Sequence, residues 1–145
     1  MKHHENDKVV AAVPAGVTGS SETATLTIDT LGYDHASVTV LRAANANTVF
    51  ASVLRVQESD DNSSYSNVTA LVGGGTGGFT IPTAPVTSQP SVVKMDIDTR
   101  SKKRYLRVSV TPTTAVNVAI SARLAKAGVT PTTAGEAGAV AWVTG

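Results

Sequence analysis

Along most of the chain, apolar and polar residues alternate with a period of two. In residues 23–30, Ala24, Leu26 and Ile28 face one way, and Thr25, Thr27 and Asp29 the other. Period two in a run rich in β-branched residues predicts a half-buried strand. The same pattern recurs at 36–41 (Val38 and Val40 inward), 92–98 (Val93, Met95 and Ile97), 104–111 (Leu106, Val108 and Val110) and 116–124 (Val116, Val118, Ile120, Ala122 and Leu124). Residues 65–71 form another strand. Residues 48–57 are apolar on both faces, with Val49 and Val53 opposing Phe50, Leu54 and Val56. A strand buried on both sides is central or lies at an interface. Residues 9–13 are a possible eighth strand. No segment shows a helical period of 3.6.

Turn chemistry separates these runs at about ten-residue intervals, the spacing of an antiparallel all-β fold. Residues 31–34, 58–64 and 112–114 read as turns, and 100–103 as a basic turn at a hairpin tip. Residues 73–78 (Gly-Gly-Gly-Thr-Gly-Gly) read as a flexible loop that runs on through Pro82, Pro85 and Pro90. The predicted fold is all-β: an antiparallel β-sandwich or jelly roll of about seven to eight strands with extended N- and C-terminal arms. Its expected divisions are an N-terminal arm (1–8), a sandwich domain (9–125, with a long Gly/Pro loop at 72–90) and a C-terminal arm (126–145).

Composition narrows the function. The 145 residues carry 12 Lys and Arg against 11 Asp and Glu, a net charge of +1. That balance argues against a broadly cationic nucleic-acid binder. Charged residues are 16% and aromatics 4% of the chain, and there is no Cys, hence no disulfide, thiolate zinc site or Cys nucleophile. The polar start (Met1-Lys2-His3-His4-Glu5) lacks the apolar run of a secretory signal, and no stretch approaches a membrane span. The expectation is synthesis in a host cytoplasm, no export by that route and no membrane partner. The His pair reads as native.

Candidate chemistry is sparse. His3, His4 and His35 fall in an arm and after a turn, not in a rigid constellation of the kind a triad or metal site needs. No catalytic residue, metal ligand or cofactor site is expected. The glycines at 73–78 lack the Lys-Ser/Thr and the helix of a phosphate loop, and Pro82 blocks such a helix. Asp60, Asp61 and Asn62 lack EF-hand spacing. Asp96 and Asp98 share a strand face and read as a solvated pair. Both Asn-X-Ser/Thr sequons, at Asn62 and Asn67, are read as inert. Arg100, Lys102, Lys103, Arg104 and Arg107 cluster within eight positions. Asp96 and Asp98 are expected to pair with them across a hairpin, and the sharper alternative is contact with an acidic protein surface. Trp142, the sole Trp, either closes the core or anchors to a neighbour.

Two segments carry a resemblance. Val53-Leu54-Arg55-Val56-Gln57-Glu58-Ser59-Asp60-Asp61, followed by Asn62-Ser63-Ser64-Tyr65-Ser66-Asn67-Val68, resembles a pattern in small head-associated proteins of tailed bacteriophages. Lys94-Met95-Asp96-Ile97-Asp98-Thr99-Arg100, with Arg104-Tyr105-Leu106-Arg107-Val108, is similar to a later segment in that group. The likeness covers roughly residues 47–125. It implies a capsid decoration or cement protein: a β-sandwich, often trimeric, on the exterior of the virion and bound to the major capsid protein. Small-residue arms fit that logic, because they gain stability when laid against another surface, and weak contacts sum on a lattice. The candidate capsid or subunit contacts are Lys2, Lys8, Phe79, Pro82, Arg100, Lys102, Lys103, Arg104 and Trp142. A carbohydrate- or receptor-binding module of a fibre or tail, using Tyr33, Tyr65 and Phe79, is the alternative. A head-completion or tail protein is a third.

Overall fold

The computed structural model describes residues 7–12, 16, 18–127 and 133–141. Lys2 and Trp142, two of the candidate contacts, lie outside the described residues, as do His3 and His4.

Eight strands run through the described chain: β1 (Lys8–Ala12), β2 (Ala24–Asp29), β3 (Tyr33–Arg42), β4 (Val53–Ser59), β5 (Ser66–Val72), β6 (Ser91–Asp98), β7 (Tyr105–Thr111) and β8 (Val118–Ala127). They form two four-stranded sheets, ordered β1-β8-β3-β6 and β2-β7-β4-β5. Every pairing is antiparallel. The pairs are nested (β1 with β8, β2 with β7, β3 with β6, β4 with β5), as in one long hairpin rolled up on itself. The protein is thus an all-β sandwich.

The period-two residues build its interior. Ala36, Val38, Val40, Met95, Ile97, Ile120, Ala122 and Leu124 of one sheet face Leu26, Ile28, Leu54, Val56, Leu106, Val108 and Val110 of the other, all buried. Fully burying a Val, Leu or Ile side chain stabilises by about 1.5–3 kcal/mol. A core of medium-sized aliphatics therefore suffices without many aromatics.

Two expectations are corrected. First, residues 99–104 are not a hairpin tip. β6 belongs to one sheet and β7 to the other, so this segment is a crossover between sheets. It begins with a 3-10 turn, Thr99–Ser101, capped by Asp98. Thr99 Oγ1 donates to Tyr33 O (2.5 Å), and Thr30 Oγ1 donates to Arg104 O (2.6 Å), which bolts both ends to neighbouring strands.

Second, β4 begins at Val53, not at 48. Residues 48–50 pair instead with the long loop: Phe50 N–H donates to Pro82 O (3.0 Å) and Ala84 N–H to Thr48 O (2.7 Å). Phe50 is buried while Val49 is exposed, so the segment is apolar on both faces without being a sheet strand.

The glycine loop, read as flexible, closes on its own backbone. Gly74 N–H donates to Phe79 O (2.8 Å), Gly78 N–H to Gly75 O (3.0 Å) and Phe79 N–H to Val72 O (3.3 Å). A Cβ added at Gly78 would lie 1.9 Å from Val72 O. Glycine allows the close backbone approach there.

At the chain ends, Lys8 opens β1 opposite Leu124, and Lys126 and Ala127 belong to β8. Residues 133–141 fold back as a strap along β1. Thr133 Oγ1 accepts from Glu136 N–H, and Glu136 Oε2 accepts from Thr133 N–H, the reciprocal pattern of a helix-start capping box. Val9 N–H donates to Ala137 O (2.8 Å), and Ala137 is buried.

Candidate interaction surfaces

β5 and β6 are the last strands of their sheets, and they flank one side of the sandwich. The chain from 73 to 90 crosses between them. This open side holds a groove of about 350 Å³. Ala70 and Leu71 of β5 form one wall, and Val93, Lys94 and Met95 of β6 the other. Phe79, Thr80 and Pro82 of the connecting loop complete it, so two sequence-predicted contacts, Phe79 and Pro82, meet here. The lining is mainly apolar, with the Lys94 ammonium in a salt bridge to Asp96 (2.9 Å). Just outside, the exposed Val92 and Leu41 are cross-strand partners. The β5 edge is irregular, because its register with β4 shifts between Arg55 and Gln57. Such bulges blunt an edge against unwanted pairing. β6 pairs with β3 through His35–Arg42 without a comparable shift.

The basic residues sit elsewhere, on the β6–β7 crossover, and carboxylates meet most of them. Arg100 grips Asp98 through Nε and Nη2 (2.9 and 2.7 Å). Arg104 grips Asp29 in the same way (2.9 and 2.8 Å). Lys103 Nζ lies 3.0 Å from Asp60, and its backbone N–H donates to Glu58 Oε2. Lys102 Nζ donates to Ser101 Oγ. The partners across the fold thus come from β2 and from the turn after β4. Asp98 acts within its own turn, and Asp96 pairs with Lys94. The expected pairing across a hairpin is replaced by these contacts.

These contacts set the titration of the carboxylates. Arg104 holds Asp29 below its usual range, and Arg100 holds Asp98 well below it. Lys94, with help from Ser37, lowers Asp96. Asp61 is held far down by the backbone N–H groups of Ser64 and Ser63 and by the hydroxyls of Ser59 and Ser63. Its oxygens are committed to closing the turn, which accounts for the Ser-Asp-Asp sequence there.

The two segments that carry the phage resemblance become adjacent strands. Gln57 lies opposite Arg107, and Ser59 opposite Tyr105, across β4 and β7. Arg107 donates to Gln57 Oε1, Gln57 Nε2 donates to Asn67 Oδ1 (3.1 Å), and the Tyr65 ring lies against Arg107. Sequence reading missed this polar ladder because strand adjacency is not written in the local pattern. It also missed the groove walls Leu71, Val93 and Met95, although the doubled Val92-Val93 breaks strict alternation and was a usable signal.

Among the described residues, no group of three or more His, Cys, Asp or Glu is placed to hold a metal ion. No described helix is long and apolar enough to cross a membrane. The molecule is defined by its sandwich and by a groove on its open side. No protein-family model matches the chain. No curated protein matches it either. Solved structures similar to it include the SPBc2 prophage-derived protein YomS, with 10% identity, 83% of this chain and 95% of that one covered, and a TM-score of 0.46. The vertex protein P5 of PRD1 is similar at 13% identity, covering 86% and 98%, with a TM-score of 0.44. The CBM35 of Cellvibrio japonicus Abf62 is similar at 15% identity, covering 86% and 99%, with a TM-score of 0.42.

Proposed function

We propose that this protein is a non-enzymatic virion structural protein of the cement or decoration type, which binds the exterior of a phage capsid and stabilises it. The observation that carries the reading is the apolar groove between β5 and β6, with Phe79 and Pro82 at its rim. An extended segment of the major capsid protein fits such a place, because its backbone can follow a strand edge while alternate side chains enter the groove. Burying apolar area contributes about 25 cal/mol per Å², so a groove of this size supplies a weak contact. Many copies on a lattice convert weak contacts into stable occupancy. The strand order β1-β8-β3-β6 and β2-β7-β4-β5 is compatible with an eight-stranded jelly roll, an architecture used in capsid and in lectin domains.

Further parts of the reading follow from the surface. Arg100, Lys103 and Arg104 of the crossover are matched by carboxylates, which suits contact with protein and not with nucleic acid. Homo-oligomerisation, with a trimer favoured by the resemblance, belongs to the proposal. The carbohydrate-binding alternative would draw on Tyr33, Tyr65 and Phe79. Tyr65 is covered by Arg107 at 3.9 Å, and Tyr33 packs against the core, so the aromatic at the groove is Phe79. A sugar platform needs more open ring faces than these provide.

Co-sedimentation with capsids lacking the protein tests the proposal. Wild type should bind saturably at high copy number and raise the heat resistance of the capsid. Val93→Asp and Phe79→Ser should fold but bind at least tenfold more weakly. Intact binding by both variants would remove the groove from the interface. No binding by wild type, with hits on a glycan array, would replace the capsid reading.

A further inference from the structure

Arg42 is the largest side chain fully enclosed in the described fold, at 1% exposure. It points inward because position 42 continues the buried positions 36, 38 and 40 of β3. Its Nη1 donates to Val49 O (2.7 Å). The Phe50 ring centre lies 5.4 Å from the guanidinium carbon. Among the described residues no carboxylate pairs with it, and its buried Nε and Nη2 have no acceptor. Directly opposite Arg42 in register, on β6, is Ser91, and the buried Ser91 Oγ also lacks a partner. A buried charge with two unpaired donors is expensive unless something compensates it.

Other arginines of this chain show what that edge takes. In Arg100, Arg104 and Arg123 the Nε and Nη2 groups together grip a carboxylate, of Asp98, Asp29 and Asp7. In Arg107 the same pair grips the amide oxygen of Gln57. We propose that the Nε/Nη2 edge of Arg42, on the strand face it shares with Ser91, is a binding site for one small oxyanion of carboxylate geometry. The guanidinium fork presents two parallel N–H donors to two oxygens, and the facing Ser91 carries a further buried hydroxyl without a partner. Two oxygens give each donor its own acceptor, as Asp98 and Asp29 do for Arg100 and Arg104, whereas a halide must share one centre between both donors.

The site is linked to the groove. Arg42 holds Val49 O, and the adjoining backbone of Thr48 and Phe50 holds Ala84 and Pro82. An anion that fixes the guanidinium therefore firms the rim on which Pro82 sits. The inference stands on the buried donors and does not depend on the capsid reading.

The test is thermal unfolding of the full chain at constant ionic strength, with sodium formate replacing sodium chloride. Wild type should show a saturable rise of about 3–6 °C at tenfold excess over the dissociation constant. In a ¹⁵N NMR titration the Arg42 Nε–H signal should move with the same midpoint. Ser91→Ala should weaken formate binding several-fold with the fold intact. Arg42→Lys keeps the charge without the fork and should abolish the formate effect. If Arg42→Lys does not fold, the wild-type titration and Ser91→Ala decide the matter. Identical unfolding in formate and chloride, with a stationary Arg42 Nε–H signal, would overturn the proposal and leave the edge to water.

Discussion

Arg107 and Tyr65 lie one against the other across the outer face of the second sheet, with the guanidinium carbon 3.9 Å from the ring centre. The same guanidinium donates through Nε and Nη2 to Gln57 Oε1 (3.2 and 2.8 Å). One side chain thus joins β7, β4 and the residue leading into β5. The aromatic is held by the arginine's planar face, and the amide by its edge. Tyr65 Oη donates in turn to Asn62 Oδ1 (2.5 Å), which anchors the turn that Asp61 closes.

Replacing Arg107 by Met removes both contacts and leaves the nearly buried Gln57 with an unpaired carbonyl. The expected loss is about 1–3 kcal/mol, read as a lower urea midpoint with unchanged slope. Arg107→Lys should recover little of it, because an ammonium offers neither the fork nor the stacking plane. Full recovery by Lys would show that charge alone matters at this position.

Acid should weaken the fold in a defined window. Asp29, Asp61, Asp96 and Asp98 are all held below their ordinary value of 3.8. A carboxyl whose folded pKa is depressed contributes fully above its unfolded value, and the contribution fades as pH falls through the folded value. Stability should therefore be flat near neutrality and drop below about pH 4. Asp29→Asn should narrow the difference in melting temperature between about pH 6 and pH 2.5, because its pairing with Arg104 no longer titrates. An unchanged difference in that variant would remove the Asp29–Arg104 pair from the acid response.

What the sequence disclosed and concealed follows one physical line. β2 and β8 were legible because each has a buried and an exposed face, whereas the alternation of β7 is one of residue type alone, its buried Leu106, Val108 and Val110 interleaved with the half-buried Arg107 and the buried Ser109. The start of β4 was misplaced because Phe50 N–H bonds to Pro82 O of the long loop while its side chain joins the core, a tertiary arrangement with no local signature. The partners of Arg104 and Lys103 were hidden because β6 and β7 enter different sheets. Phe79 and Pro82 were singled out as candidate contacts without any groove in view, because the groove exists only once strand order brings β5 and β6 to one side.

The glycine loop offers a sharp test of packing against flexibility. Gly78→Ala brings a Cβ within 1.9 Å of Val72 O, the acceptor of the Phe79 N–H bond. The backbone must shift, and the expected cost is about 2–4 kcal/mol, with faster amide exchange at Phe79. Gly16→Ala meets nothing within 4 Å and should be neutral or slightly stabilising. Equal behaviour of the two variants would return the loop to the flexible reading.

The strap at 133–141 should act as an edge guard. Gly138 has φ +73, and a Cβ there would lie 1.9 Å from Val9 O. Gly138→Val adds a β-branched side chain in a left-handed conformation and at a contact with no room, so the strap should lift from β1. Val9 N–H then loses Ala137 O as its acceptor, and the outer edge of β1 becomes available for pairing with another chain. The core should survive, because β1 still pairs with β8 from Lys8 to Ala12. The expected result is at least tenfold faster amide exchange at Val9 and concentration-dependent self-association by light scattering, with only a small change in melting temperature. Unchanged exchange at Val9 in this variant would show that the strap does not guard the edge.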